Sequence, residues 1–266
     1  MGITHACFGL SYLTALCLEL AHQWRPTRTA RIGATLAGIA GLVAHTIFLV
    51  IHTPNPASAF GSLVLLAWVF AVFYLYGSLH QKTQVWAVFV IPLVIGLVGL
   101  SFAFRGDGED IDAWFSGKHF WGVVHGILLL ASSIGITVGF LASLMYLLQS
   151  RRLRLKQSPI GGMRLLSLER LETMNRRGIN FAFPLLSVGL LLGAIRAPMS
   201  GEALGWTQVK ILGTIVLWGV ALLLMYLRYG AHLAPRRLAI WTLAAFGLMM
   251  ITLVWSHPFA GGDGSR

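Results

Sequence analysis

The sequence predicts an all-α protein, a polytopic bundle of membrane-spanning helices forming a single membrane domain over residues 1–266. Three observations predict it. Of the 266 residues, 56% are hydrophobic and only 11% are charged, against about 25% charged in soluble domains. Mean hydropathy is +0.75, and the apolar residues gather into stretches of about 20, the length that crosses a hydrocarbon core. The basic residues, which set a net charge of +11, fall in alternate connecting segments. That is the pattern of membrane orientation, so the positive charge does not point to nucleic acid.

Eight spans follow, at approximately 4–22, 32–52, 59–79, 85–104, 120–149, 179–197, 207–229 and 236–256. The first carries Cys7 and Cys17, ten residues apart. Helical rise separates them by about 15 Å, beyond disulfide reach. No basic region precedes its apolar run, so a cleaved signal peptide is not expected. In the second span Gly33, Gly38 and Gly41 favour close helix approach. The third is continuous, and the fourth and sixth contain Pro92 and Pro184, which membrane helices tolerate. The fifth is long and is expected to project past the bilayer at its C-terminal end. The seventh and eighth are joined by a short basic connection.

Orientation follows from the twenty Lys and Arg. All but Arg105, Lys118, Arg196, Lys210 and Arg266 fall in one set of connections, which is therefore cytoplasmic. Both termini then lie outside. The longest cytoplasmic segment, 150–178, is strongly basic. Within it Leu165–Met174 reads as a helix, with Ser167 as N-cap and apolar residues on one face. A surface helix is expected there, its arginines near anionic lipid headgroups.

With this topology His5, His45, His52, His119, His125 and His257 fall on the outer half, while His22, His80 and His232 fall at inner ends. His125 stands one turn after Trp121, where an acidic segment enters an apolar helix. It is either a helix-end histidine bonded to a carbonyl or a ligand. His257, in Trp255-Ser256-His257-Pro258, ends the last helix and carries the same two readings. Two neutral imidazoles from separate helices could approach one iron from opposite faces. His45 lies within the membrane among apolar neighbours, which makes it a functional candidate. His52 stands seven residues further along the same face, beside Thr53-Pro54-Asn55-Pro56. Arg196 could pair with a porphyrin carboxylate or could simply reach headgroups. Trp121 and Trp206 could pack on a porphyrin, or could be interface anchors. The sequence has no CxxC, HExxH, Walker or CxxCH motif.

Several of these segments resemble the cytochrome c assembly family of haem-handling membrane proteins. The run Trp121-Gly122-Val123-Val124-His125, followed by Ser132-Ser133 and Met145-Tyr146-Leu147-Leu148-Gln149, is similar to the family's histidine helix. Leu166 to Glu172, through Asn180-Phe181-Ala182-Phe183-Pro184-Leu185-Leu186-Ser187-Val188-Gly189 to Gly193, is similar to its next helix. The resemblance implies that His125 and His257 ligate a b-type haem at the outer face. It also implies that His45 or His52 holds the place of a membrane-embedded histidine. The synthase-type members carry a Trp-x-Trp-Asp-Pro-Lys pattern, and here Gly205-Trp206-Thr207-Gln208-Val209-Lys210 retains only part of it. Arg228 stands near the place of their second membrane histidine. The HemX-like branch is therefore the better match, and a complete haem-relay synthase is not expected.

Three functional classes follow. The first is a haem-binding assembly factor in the bacterial inner membrane, with Arg196 or Lys210 near the propionates and maturation proteins as partners. The second is a haem-free accessory or regulatory subunit on the same scaffold. The third, a quinol–haem redox subunit, would need paired histidines at both membrane depths. The inner half offers no such pair.

Overall fold

The computed structural model describes residues 5–54, 58–80, 85–102, 120–156, 166–199 and 209–255. Among them are eight helices and no strand: α1 (His5–Trp24), α2 (Arg28–His52), α3 (Ala59–His80), α4 (Val85–Ser101), α5 (Phe120–Arg154), α6 (Leu168–Met199), α7 (Val209–Tyr229) and α8 (Pro235–Trp255). Six of them (α2, α3, α5, α6, α7 and α8) are long and apolar enough to cross a membrane. The apolar part of α4, Trp86–Ser101, is shorter, and α1 places Glu19, His5 and His22 within 20 residues. The protein is a polytopic helical membrane protein.

Two elements differ from the sequence expectation. The surface helix expected within 150–178 is not a separate element, because α6 runs without a break from Leu168 to Met199. Ser167 still caps its start, its Oγ accepting from Arg170 N at 3.3 Å. Nothing between Thr173 and Asn180 breaks the helical pattern, so the amphipathic turns continue directly into the apolar span. α5 continues to Arg154, past its last apolar turn, as its length predicts.

The chain, read from sequence as one membrane domain, divides by its contacts into two compact units. Unit 1 gathers α1, α2, most of α3 and α4; unit 2 gathers most of α5 with α6, α7 and α8.

In unit 1, α2 buries Ala34, Gly38, Gly41, His45 and Phe48 on one face. Its opposite face exposes Leu36, Val43 and Val50. A helix apolar on both faces is a membrane helix, with one stripe packed on protein and the other suited to lipid. Thr27 caps its start, accepting from Ala30 N at 3.3 Å. The glycines of α2 receive tyrosine rings. A Cβ on Gly38 would stand 2.5 Å from Tyr74 Cε1, and one on Gly41 would stand 2.8 Å from Tyr12 Cε1. α3 forms the centre, with Leu63, Leu66, Ala67 and Phe70 fully buried. Trp68 Nε1 donates to Thr46 Oγ1 at 2.9 Å, an interhelical bond of about 0.6 kcal/mol in such surroundings.

Unit 2 is organised by a closer crossing. A Cβ on Gly178 of α6 would stand 2.6 Å from Gly135 O of α5, and one on Gly135 would stand 2.7 Å from Gly178 O. Gly135 and Gly139 form a small-xxx-small stripe, and Gly178 with Ala182 forms its counterpart, so the two backbones touch. Ser132 Oγ adds a bond to Ala182 O at 3.1 Å. Beyond the crossing, Ile136, Ala182, Leu186, Leu217, Ala221 and Met249 make a continuous apolar core across all four helices.

Candidate functional site

His125 lies in the second turn of α5, half-buried, against α6. Its Nδ1 is 2.7 Å from Gly189 O. Its ring lies over Gly193, where a Cβ would stand 2.8 Å from Cε1. Gly189 and Gly193 are one turn apart, and the first admits Leu129 while the second admits the imidazole. The glycines of α6 thus form a notch that receives His125.

The carbonyl fixes the chemistry of the ring. A carbonyl oxygen only accepts, so in the neutral imidazole Nδ1 carries the proton and Nε2 carries the lone pair. A histidine-ligated metal commonly has this arrangement, with one nitrogen held by a backbone carbonyl and the other presented to the metal. The same bond is the one a structural helix-end histidine makes. The two roles differ only in what Nε2 meets.

The other expected site residues are distributed as follows. Trp121 is one turn from His125 and 57% exposed, as an interface anchor would be. Arg196 stands on α6 three residues past Gly193, and Lys210 stands in the first turn of α7. His257 and Trp206 lie outside the described residues. In the same unit Trp218 Nε1 donates to Ser187 Oγ at 2.9 Å, and its ring lies 6.1 Å from that of Phe183 at an interplanar angle of 25°.

His45 and His52 belong to unit 1 and have different surroundings. His45 is fully buried, and its ring stacks on Phe8 at 4.2 Å with an interplanar angle of 2°. Tyr12 Oη is 3.3 Å from its Nδ1. Phe48 meets Phe8 at a tilt of 56° and stacks in turn on His52 at 4.2 Å. His52 is exposed, and its Nδ1 bonds its own helix at Phe48 O, 3.2 Å away. His45 is enclosed on all sides, so a porphyrin could approach it only after the aromatic cluster had opened. His52 ends the stack at the mouth of α2.

At the basic end of unit 2, Arg228 donates to Asn175 Oδ1. Asn175 Nδ2 reaches Gly139 O at 3.2 Å, Ser143 Oγ at 2.7 Å and Thr242 Oγ1 at 3.0 Å. One buried amide therefore ties α5, α6, α7 and α8 together. Arg228, expected near the place of a lost membrane histidine, serves this junction.

The sequence reading passes over Glu19, Asn175 and the glycine notch. Glu19 is 1% exposed and receives Tyr74 Oη at 3.5 Å. Its signal is plain, a lone acid in an apolar run, which marks an intramembrane ionisable group. Asn175 carries no such signal, because it looks like part of a polar surface helix. Gly189 and Gly193 show a small-xxx-small pattern, but nothing in that pattern indicates that a histidine fills it.

Three comparisons bear on this arrangement. The family model described as "Cytochrome C assembly protein" matches residues 57–257. Protein HemX of Bacillus subtilis (strain 168) is 27% identical over 71% of this chain and 69% of its own length. Cytochrome c biogenesis protein CcsA of Parasynechococcus marenigrum (strain WH8102) is 26% identical over 95% of this chain and 92% of its own. No solved structure matches the chain.

Proposed function

The chain belongs to the cytochrome c assembly protein family, and we propose that it is a haem-handling factor of cytochrome c maturation in the bacterial cytoplasmic membrane. In this reading a b-type haem would be held at the outer face by His125 and His257. The observation that carries it is the bond from His125 Nδ1 to Gly189 O at 2.7 Å, which puts the ring's lone pair on Nε2. The donor set fits haem: neutral imidazole is a standard axial ligand, and Arg196 and Lys210 supply cations for the propionates. A bound haem would be held by His125 and His257 and would supply a redox-active iron centre.

The residues of the chain then bind and orient. The Gly189–Gly193 notch fixes the plane of the His125 ring, and Trp121 and Trp206 are apolar surfaces for the porphyrin face. The partners in this reading are haem, the lipid bilayer and the extracytoplasmic proteins of cytochrome maturation. The incomplete Trp-x-Trp-Asp-Pro-Lys pattern at Gly205–Lys210 favours a second reading, an accessory subunit that works without haem on the same scaffold.

Haem titration of the purified full-length protein separates the two. The wild type is expected to develop a Soret band and, after pyridine extraction, the spectrum of b-type haem. His125→Ala and His257→Ala are each expected to weaken binding by at least about tenfold, the loss of one ligand bond's worth of affinity. A wild-type protein that takes up no haem would sink the first reading and leave the second, and variants that bind haem as well as wild type would sink the assignment of His125 and His257 as its ligands.

A further inference from the structure

Unit 1 holds an acid for which the haem reading has no use. Glu19 lies in α1 and is 1% exposed. Its Oε1 receives Tyr74 Oη at 3.5 Å, and its Oε2 is buried with no hydrogen-bond partner among the described residues. The same Tyr74 hydroxyl lies 3.3 Å from Ala34 O. Gly38 of α2 keeps it there, because the missing Cβ leaves room for the Tyr74 ring. A hydroxyl carries one proton, so Tyr74 can serve the carboxyl on α1 or the carbonyl on α2, but not both.

The charged groups that face Glu19 are His22 and Arg31, and neither makes an ion pair with it among the described residues. His22, three residues on, turns its Nδ1 to Thr27 O at 2.8 Å. Arg31 of α2 is exposed, so water screens its charge. Gln23 Nε2, one turn on, is buried without a partner, and an amide can bond a carboxyl in either charge state. α3 supplies Tyr74; its Tyr76 is exposed, and His80 is its last residue. α4, which meets α1 where Val98 faces Gly9, carries no titratable residue. Burying a carboxylate with one long bond and no ion pair is costly, and the neutral acid avoids that cost.

We propose that Glu19 is a proton-binding site within unit 1, and that its proton decides whether Tyr74 bonds to α1 or to α2. With the proton in place the carboxyl is neutral, and the Tyr74 hydroxyl donates to Ala34 O. With the proton gone the hydroxyl turns to Glu19 Oε1, because a carboxylate is the stronger acceptor. The proton passes to and from water at the basic end of α1, and no covalent bond other than the carboxyl O–H is made or broken. None of these residues belongs to the His125 site.

Infrared spectra of the full-length protein in detergent test the site, because the carbonyl stretch of a protonated carboxyl stands clear of the amide and carboxylate bands. At neutral pH the wild type is expected to show such a band, and Glu19→Gln is expected to lack it. A wild type without the band at neutral pH, or a band that survives in Glu19→Gln, would overturn the proton site. Should Glu19→Gln fail to fold, a shift of the band in Glu19→Asp assigns it to this position, and an unmoved band overturns the site. Tyr74→Phe then tests the switch. The drop in its thermal midpoint relative to wild type is expected to be about twice as large at a pH where the band has vanished as at neutral pH, since a bond to a carboxylate is about twice as strong as one to a carbonyl. An equal drop at both would show that the hydroxyl does not follow the charge, and would overturn the role given to Tyr74.

Discussion

Unit 1 and unit 2 each place an imidazole between helices, and they do so in opposite ways. His45 is fully buried, stacked on Phe8 and bonded to the Tyr12 hydroxyl. His125 is half-buried, set over a glycine, and bonded to a backbone carbonyl. A hydroxyl can donate or accept, so Tyr12 leaves the His45 tautomer open; a carbonyl only accepts, so Gly189 fixes that of His125. A ligating histidine needs a fixed tautomer, and of the two imidazoles only that of His125 is given one by its partner.

The glycines divide along the same line. Gly135 and Gly178 of unit 2 bring backbone against backbone, while Gly38 and Gly41 of unit 1 make room for tyrosine rings. Gly178→Ala would push a methyl to 2.6 Å from Gly135 O and 3.0 Å from Gly139 N. The helices must part, at a cost of about 3 kcal/mol, the upper part of the range for overpacked cores. Gly38→Ala meets side-chain atoms only, the Tyr74 ring at 2.5 Å and Leu75 Cδ2 at 3.1 Å, and about 1 kcal/mol is expected there. Thermal unfolding in detergent should show a clearly lower midpoint for Gly178→Ala than for Gly38→Ala. Equal midpoints would mean that the α5–α6 crossing is no tighter than the tyrosine grooves.

The polar centres give the next contrast. Asn175→Ala removes the amide that joins four helices and strands Arg228, so about 2 kcal/mol is expected, a typical cost of leaving buried polar groups unmet. Tyr12→Phe removes one long bond to His45, and about 0.5–1 kcal/mol is expected. Paired unfolding measurements on the two variants check the order, and a larger loss for Tyr12→Phe would reverse the account of which unit depends on its polar core.

The helices were legible because burial in lipid requires length and apolarity, and both are properties of a single stretch of sequence. The eight predicted spans correspond to the eight helices within a few residues, apart from the early start of α6. That start was misread because a basic amphipathic segment looks the same on a membrane surface or as the first turns of a span. His125 was legible as a candidate from Trp121 and the apolar run behind it. What holds it was not, because Gly189 lies 64 residues away and a glycine shows no preference for what it will contact. Asn175 was hidden for the same reason, since its four partners come from helices remote in sequence.

The notch itself can be broken with little harm to the fold. Gly193→Ala would put a methyl 2.8 Å from His125 Cε1, at the end of a side chain rather than at backbone. The ring can turn aside, so no more than about 1 kcal/mol of stability is expected to be lost. Haem affinity is expected to fall by about tenfold, because the Nδ1–Gly189 bond no longer fixes the ring. An unfolding curve and a haem titration on the same sample separate the two effects. Unchanged affinity would show that the notch serves packing alone.

The smallest effect is expected at His52. Its side chain is exposed, bonds only its own helix at Phe48 O, and stacks on Phe48 at 4.2 Å. His52→Ala should change stability by less than about 0.5 kcal/mol, as exposed substitutions do, and should leave haem affinity unchanged. The second half of that expectation is the informative one. His52 is the end of the aromatic stack that reaches His45 through Phe48 and Phe8, and it is the reachable imidazole of that stack. A loss of haem affinity on His52→Ala, with the fold intact, would give unit 1 a ligand of its own. His45 would then become the second position of a site opened by displacement of Phe8, and the division between a packed unit and a binding unit would fail.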